Sequence, residues 1–344
     1  MSDDTLTDAW GMATNGELVV VTDPGTESVR FYRNSKPLSR CGTSGSAPGQ
    51  FARPLGVSLD GADGAYVADH QSHRIQHLSP DCTVGLTLGR YGSRAAQLAE
   101  PADVEFANGT LLVADMTNHR LQAFDTNGKF LYQWGRHPST AHQGNGRTHY
   151  PSFIASDDAA TQAVVCEPFE TRCQAFDLLE VQRLVSTAND DAFWNKFPKF
   201  HYGSKAGSGD VAPTAQRDGF FGAFIAEPDL SQVVILDWSG IKPKVRATIG
   251  GFGTEPGKFR QPTGVALAPD TTELYVSDGN NHRIQVCSIG STWWTPTTSG
   301  CSSSTSRAGT SASSEATGSR PGRSSTPSTS PSTTTTTSTC RTPP

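Results

Sequence analysis

Tyr66-Val-Ala-Asp-His-Gln-Ser-His-Arg-Ile-Gln-His-Leu78, Leu112-Val-Ala-Asp-Met-Thr-Asn-His-Arg-Leu-Gln-Ala-Phe124 and Tyr275-Val-Ser-Asp-Gly-Asn-Asn-His-Arg-Ile-Gln-Val-Cys287 are three versions of one phrase. Each follows a Pro-containing segment that turns into an apolar run. A phrase recurring at this period marks one supersecondary unit stacked many times. The repeat decides the architecture and leaves the function open, because such folds host many unrelated activities.

The acid that ends the second strand of each unit tracks the repeat. It falls at Asp23, Asp69, Asp115, Glu167, Asp237 and Asp278, with spacings of 46, 46, 52, 70 and 41 residues. The gap of 70 is too short for two units, so it reads as one unit plus an insertion at about 186–220. Five markers have a base five positions later: Arg74, Arg120, Arg172, Lys242 and Arg283; in the first unit Arg30 follows by seven. Acid and base at that distance flank a tight turn and staple it. The His before three of the Arg residues reads as part of the same staple.

Before each marker lies a short first strand, such as Gly56-Val-Ser-Leu or Gly264-Val-Ala-Leu, and then an apolar run such as Leu111-Leu-Val-Ala or Val233-Val-Ile-Leu. Continuous apolar runs of this length suit strands covered on both faces. An alternating third strand follows, as in Arg120-Leu-Gln-Ala-Phe, and a fourth, as in Phe130-Leu-Tyr-Gln-Trp. The expected fold is all-β: a six-bladed β-propeller of four-stranded antiparallel blades with a disordered C-terminal tail.

The run Gly251-Phe-Gly-Thr-Glu-Pro-Gly-Lys-Phe-Arg-Gln-Pro-Thr-Gly-Val-Ala-Leu, followed by Leu274-Tyr-Val-Ser-Asp-Gly-Asn-Asn-His-Arg-Ile-Gln-Val, resembles the NHL repeat. The second and third units resemble it nearly as well, and the fourth and fifth are degenerate. The resemblance covers roughly residues 8–290 and implies a six-bladed propeller, in agreement with the count of units.

Composition sets further bounds. The propeller, expected at 8–290, is large enough to bury a core without staples. Seven Cys lie at 41, 82, 166, 173, 287, 301 and 340, with no Cys-x-x-Cys zinc pattern. Cys166 and Cys173 straddle one turn and could pair in an oxidising compartment, with two buried thiols on neighbouring strands the favoured reading. No apolar run approaches a membrane span. The N-terminus has no apolar leader, so an intracellular location is expected. Net charge is −5; the tail from Ser291 holds four Arg and one Glu, leaving 24 basic and 32 acidic residues before it, a net −8. That is a poor footprint for nucleic acid. In the tail, 291–344, Ser and Thr make up 26 of the last 44 residues, a composition that cannot offset its ordering entropy. The last blade needs a fourth strand, and Met1–Thr7 and Ser291–Thr297 are the candidates. The seam between first and last blades is expected to be the least stable.

Two blade connections are long: 135–150 and about 186–220. They flank the fourth unit and are expected side by side on one face, where function tends to sit. Phe193, Trp194, Phe197, Phe200 and Tyr202, with Lys196 and Lys199, are the recognition candidates, as aromatic and cationic groups suited to anchoring a partner; capping the fourth and fifth blades is the structural alternative. His137, His142, His149 and His201 are the metal candidates, but their spacing fits no metal motif. No cofactor and no metal are expected. Asp103, at the start of an inner strand near the central channel, is a candidate to bind a cation or to bond neighbouring backbone.

Three functions compete. A binding scaffold for a protein or peptide, acting as a monomeric propeller, needs no catalytic constellation, and none is found. The resemblance also reaches the peptidyl-hydroxyglycine amidating lyase, which implies zinc-binding His residues after the Pro that opens an inner strand. The matching positions are Leu55, Ala102, Ser152 and Thr263, none of which ligates zinc as His does. RNA binding, implied by the propellers of tripartite-motif proteins, uses a basic face that the acidic balance disfavours. Those proteins also carry RING and B-box domains, which this sequence lacks. The scaffold is the expected reading.

Overall fold

Four consecutive strands form each of six antiparallel sheets in the computed structural model, which describes residues 5–138, 146–185, 200–203, 211–213, 222–237, 244–269, 273–289 and 301–304. Blade 1 is β1–β4 (Met12–Thr14, Leu18–Asp23, Ser28–Arg33, Lys36–Cys41) and blade 2 is β5–β8 (Pro54–Leu59, Ala65–Asp69, Arg74–Leu78, Val84–Leu88). Blade 3 is β9–β12 (Pro101–Ala107, Thr110–Asp115, Arg120–Asp125, Phe130–Trp134). Blade 4 is β13–β16 (Phe153–Ser156, Gln162–Glu167, Arg172–Asp177, Phe200–Gly203), with helix α1 (Leu178–Val185) between its last two strands. Blade 5 is β17–β20 (Val211–Pro213, Gly222–Glu227, Gln232–Asp237, Lys244–Gly250) and blade 6 is β21–β24 (Pro262–Leu267, Glu273–Asp278, Arg283–Ser288, Cys301–Ser304). The six-bladed propeller read from the sequence is the fold.

The core lies between blades. Leu112, Ala114 and Trp134 of blade 3 meet Ile154, Val165 and Phe176 of blade 4, and Leu178, Val181 and Leu184 of α1 close the outer edge of that layer. Apolar runs on second strands are buried because a blade covers each face. Inner strands approach closely: a Cβ added at Gly56 would lie 1.8 Å from Asp103 Oδ1, so no side chain fits there.

Several expectations are corrected. In blade 5 the acid before the turn is Glu227, and Asp237 ends the third strand; five residues after Glu227 stands Gln232, whose amide donates to Glu227 Oε2 at 2.6 Å. The missing Arg disguised this turn. The stretch 186–220 is not a single insertion, since it supplies β16 to blade 4 and β17 to blade 5. The segment between α1 and β16 joins third and fourth strands, and α1 starts at the opposite end of the blade from 135–150: Leu178 N–H bonds Thr161 O in the first-to-second-strand turn. The stretch 186–220 therefore departs from the end opposite 135–150, and β16 returns to the same end as 135–150 at Gly203, the partner of Arg172. The fourth strand of blade 6 is β24, in place of the candidates Met1–Thr7 and Ser291–Thr297.

Cys166 and Cys173 are bonded to each other and are not free thiols. They are direct partners in the β14–β15 register, which brings their Cα atoms to 4.0 Å. Cys41–Cys82 links blades 1 and 2, and Cys287–Cys301 joins β23 to β24. Cys340 and the rest of the Ser/Thr-rich tail beyond 304 lie outside the described residues.

Candidate functional site

Each second strand ends in an acid and enters a three-residue 3₁₀ turn; these turns are Pro24–Thr26, His70–Ser72, Met116–Asn118, Pro168–Glu170, Pro228–Leu230 and Gly279–Asn281. The next residue is left-handed in every case, with φ between 49° and 55° at Glu27, His73, His119, Thr171, Ser231 and His282. Turns and blade connections share this end of the ring, hereafter the 3₁₀ face. In blade 3, Arg120 pairs with Asp115 and donates to the carbonyls of Ser93, Arg94 and Gln97 in the preceding connection. The staple thus holds the connection as well as the turn, and it recurs at Asp69–Arg74, Glu167–Arg172 and Asp278–Arg283.

The left-handed His reaches the next blade. His73 Nδ1 accepts from Glu100 N–H at 3.0 Å, and His119 Nδ1 from Tyr150 N–H at 3.2 Å. This reach carries His119 out of the staple role expected for it and into a cluster. One nitrogen of each of His119, His137 and His149 lies within 4.8 Å of the others. The His119 ring is 4.2 Å from that of His137 and 5.2 Å from that of His149, and Tyr150 and Phe169 stack alongside. His149 Nδ1–H donates to Glu170, which is buried. Burial, with His137 and His149 close by, pushes His119 down to about 4, so its ring is neutral.

The sequence candidates separate accordingly. His137 and His149 come together; His142 lies outside the described residues, and His201 sits in β16 of blade 4. Phe193, Trp194, Lys196, Phe197 and Lys199 also lie outside the described residues. Phe200 and Tyr202 are placed in β16, with side chains outside the described set. Asp103 lines the channel, and both its oxygens accept backbone N–H groups, from Val104 and from Ile154 of blade 4, each at 2.8 Å.

A cavity lies toward each end of the inner strands. At the 3₁₀ face a cavity of about 380 Å³ is lined by Leu55, Ala102, Ser152 and Thr263, with Trp10, Arg53 and His70 at its wall. The four positions matched to lyase zinc ligands do surround this mouth, but an apolar pair and two hydroxyls do not fit a zinc ion there. The Arg53 guanidinium lies 5.9 Å from the Trp10 ring centre and forms no ion pair among the described residues.

At the opposite end a cavity of about 370 Å³ holds Glu105. Ser58 Oγ donates to it at 3.0 Å and Ser156 N–H at 3.2 Å, so the carboxyl ties blades 2, 3 and 4. Burial outweighs those bonds and pushes it up to about 7. A raised carboxyl gives stability that is complete below its unfolded value near 4.5 and is lost as the pH climbs through 7. Glu105→Gln is expected to gain on the native protein across that window, by on the order of 2–3 kcal/mol at pH 8. Urea midpoints of both proteins at several pH values test this; parallel pH profiles would refute it.

The NHL repeat matches residues 259–287, from the end of the 5–6 connection to β23. The match takes in β21, β22 and most of β23 of the sixth blade. Mouse peptidyl-glycine alpha-amidating monooxygenase is similar to this chain, at 31% identity over 149 residues, 40% of this chain and 15% of that protein. The Drosophila melanogaster protein brain tumor is 29% identical over 108 residues, 30% of this chain and 10% of that one. The chain therefore spans a small fraction of the length of these curated relatives. Among solved structures, Kuenenia stuttgartiensis hydrazine synthase superposes with a TM-score of 0.53 at 13% identity, covering 84% of this chain and 78% of that one. A protein of unknown function from Desulfotomaculum acetoxidans gives 0.51 at 15% identity and 84% of both chains. At those identities the likeness is one of fold.

Proposed function

We propose that this NHL propeller is a binding scaffold that presents its 3₁₀ face to a peptide or to an extended segment of a protein. The observation that carries the reading is where its exposed aromatics lie. Tyr91, Phe169 and Phe252 are 72%, 63% and 73% exposed, and all three belong to turns or connections of that face. Aromatic side chains are enriched among the anchors of protein interfaces. The channel mouth among them offers a concave site with Arg53 for an acidic group. Curated relatives named for acting on a peptidyl-glycine share part of this chain, which supports a peptide as the ligand class. The three disulfides favour an oxidising compartment over the intracellular location expected from the N-terminus.

The test is a displayed random-peptide library panned on the full chain. Enriched peptides should lose at least about tenfold in affinity on the triple variant Tyr91→Ala, Phe169→Ala, Phe252→Ala, each site being worth roughly 1 kcal/mol or more. They should keep it on Leu38→Ala, Leu131→Ala, Val245→Ala, exposed sites on outer strands. No enrichment, or equal loss on both variants, would remove the reading.

A further inference from the structure

We propose that His119, His137 and His149 form a zinc site on the 3₁₀ face, at the seam between blades 3 and 4. The three imidazoles come from separate places in the chain. His119 follows the blade 3 turn, and His137 and His149 stand at the two ends of the connection that leads into blade 4. Their ligand nitrogens lie within 4.8 Å of one another. Tetrahedral zinc with bonds of about 2.0–2.1 Å needs nitrogens about 3.3 Å apart, so the cluster must close by roughly 1.5 Å. His137 is exposed and free to swing that far.

His149 is already oriented for a metal. Its Nδ1–H is donated to Glu170, which is 4% exposed, so the Nε2 lone pair is the one left to give. A carboxylate behind a ligating imidazole fixes the tautomer and raises the basicity of the ligand nitrogen. His119 gives up one long neutral bond, the 3.2 Å contact from Tyr150 N–H, when it binds metal. That is a small loss against a coordinate bond. Three imidazoles suit zinc among the abundant divalent ions, and three protein ligands leave a fourth position for water or a partner's donor atom. The site is separate from the channel mouth, where Leu55, Ala102, Ser152 and Thr263 hold no zinc, and it stands whether or not the peptide reading does.

The experiment uses the full chain, stripped with a chelator and titrated with zinc against a chromophoric competitor. One equivalent is expected to bind. His137→Ala should weaken it at least 100-fold, and because that side chain is exposed the variant keeps its fold. Glu170→Gln should weaken it about 10–100-fold while leaving the three ligands in place. Cobalt in place of zinc should give the intense visible spectrum of a four-coordinate ion, and His137→Ala should abolish it. Unchanged zinc affinity in His137→Ala, or the faint spectrum of hydrated cobalt with the native protein, would overturn the proposal. So would a thiolate-to-cobalt band, which would assign the metal to Cys340.

Discussion

Asp115→Ala is expected to cost about 3–5 kcal/mol, because it leaves a buried guanidinium without its counter-charge. Asp115 is fully buried and accepts from Ala99 N–H at 2.7 Å, Asn118 Nδ2 at 2.9 Å, Arg120 Nε at 2.7 Å and Gln122 Nε2 at 2.9 Å. Arg120 is 8% exposed, and its remaining donors go to Ser93, Arg94 and Gln97 carbonyls and to Gln133. Those neutral acceptors do not replace a carboxylate. Removing the acid strands a cation, frees the Ala99 amide and loosens the connection that Arg120 holds. Removing both partners, as Asp115→Ala with Arg120→Met, should recover part of the loss, since no charge then stays buried. Arg33 and Asp63 make a useful contrast: they are 39% and 58% exposed, so breaking the pair by Asp63→Ala should cost about 1 kcal/mol or less. Urea unfolding at constant slope reads all three variants. A loss below about 1 kcal/mol for Asp115→Ala would show that water reaches Arg120 and that the staple is a surface feature.

The staple also explains which parts of the fold could be read in the sequence. Acid, Arg five later and Gln seven later together tie the turn to its connection in blades 2, 3, 4 and 6, and there the first three strands stand where they were expected. Blade 5 keeps only Glu227 and Gln232, and the pair Asp237 and Lys242 imitates the spacing one strand too late. Its first strand, Val211–Pro213, is three residues long and carries no pattern. The disulfide in blade 4 was in principle legible. Glu167 and Arg172 are direct partners across the turn, so Cys166 and Cys173, one step further out, must face each other. The histidine cluster was not legible. His137 and His149 stand out by type, but His119 joins them only because a left-handed turn residue points its ring at the following connection, a geometry that spacing does not carry. The exposed aromatics were hidden for a similar reason: Tyr91 and Phe252 look like core residues until the connection holding them is seen to lie on the surface.

Cys301→Ser is expected to cost about 3 kcal/mol and to free the outer edge of blade 6 before the rest of the ring. The bond closes a loop with a sequence separation of 14, and a loop of about 15 residues corresponds to about 3 kcal/mol of chain entropy. Apart from this bond, β24 is held by its pairing with β23. Its sequence is Cys-Ser-Ser-Ser, and Cys301 supplies its buried side chain to the cluster of Ile249, Phe259, Leu274 and Ile289. The blade also sits at the seam where the ring meets itself without exchanging a strand, for β1–β4 are all N-terminal and β21–β24 all C-terminal. Blade 1 and blade 6 are joined instead by side chains. Thr263 Oγ1 donates to Ala9 O at 2.9 Å, Ser277 Oγ to Trp10 O at 3.1 Å and His282 Nδ1 to Thr7 O at 2.8 Å, around an apolar contact of Leu6 and Met12 with Tyr275 and Ile284. Loss of β24 exposes the far edge of β23, and with it Ile284 and Cys287, which pair with Ser304 and Cys301. Amide exchange at residues 283–288 should therefore accelerate by at least tenfold in Cys301→Ser, while β10 and β11 of blade 3 keep native protection. Uniform acceleration around the ring would instead mean that the propeller opens as one unit and that the seam is no weaker than any other junction.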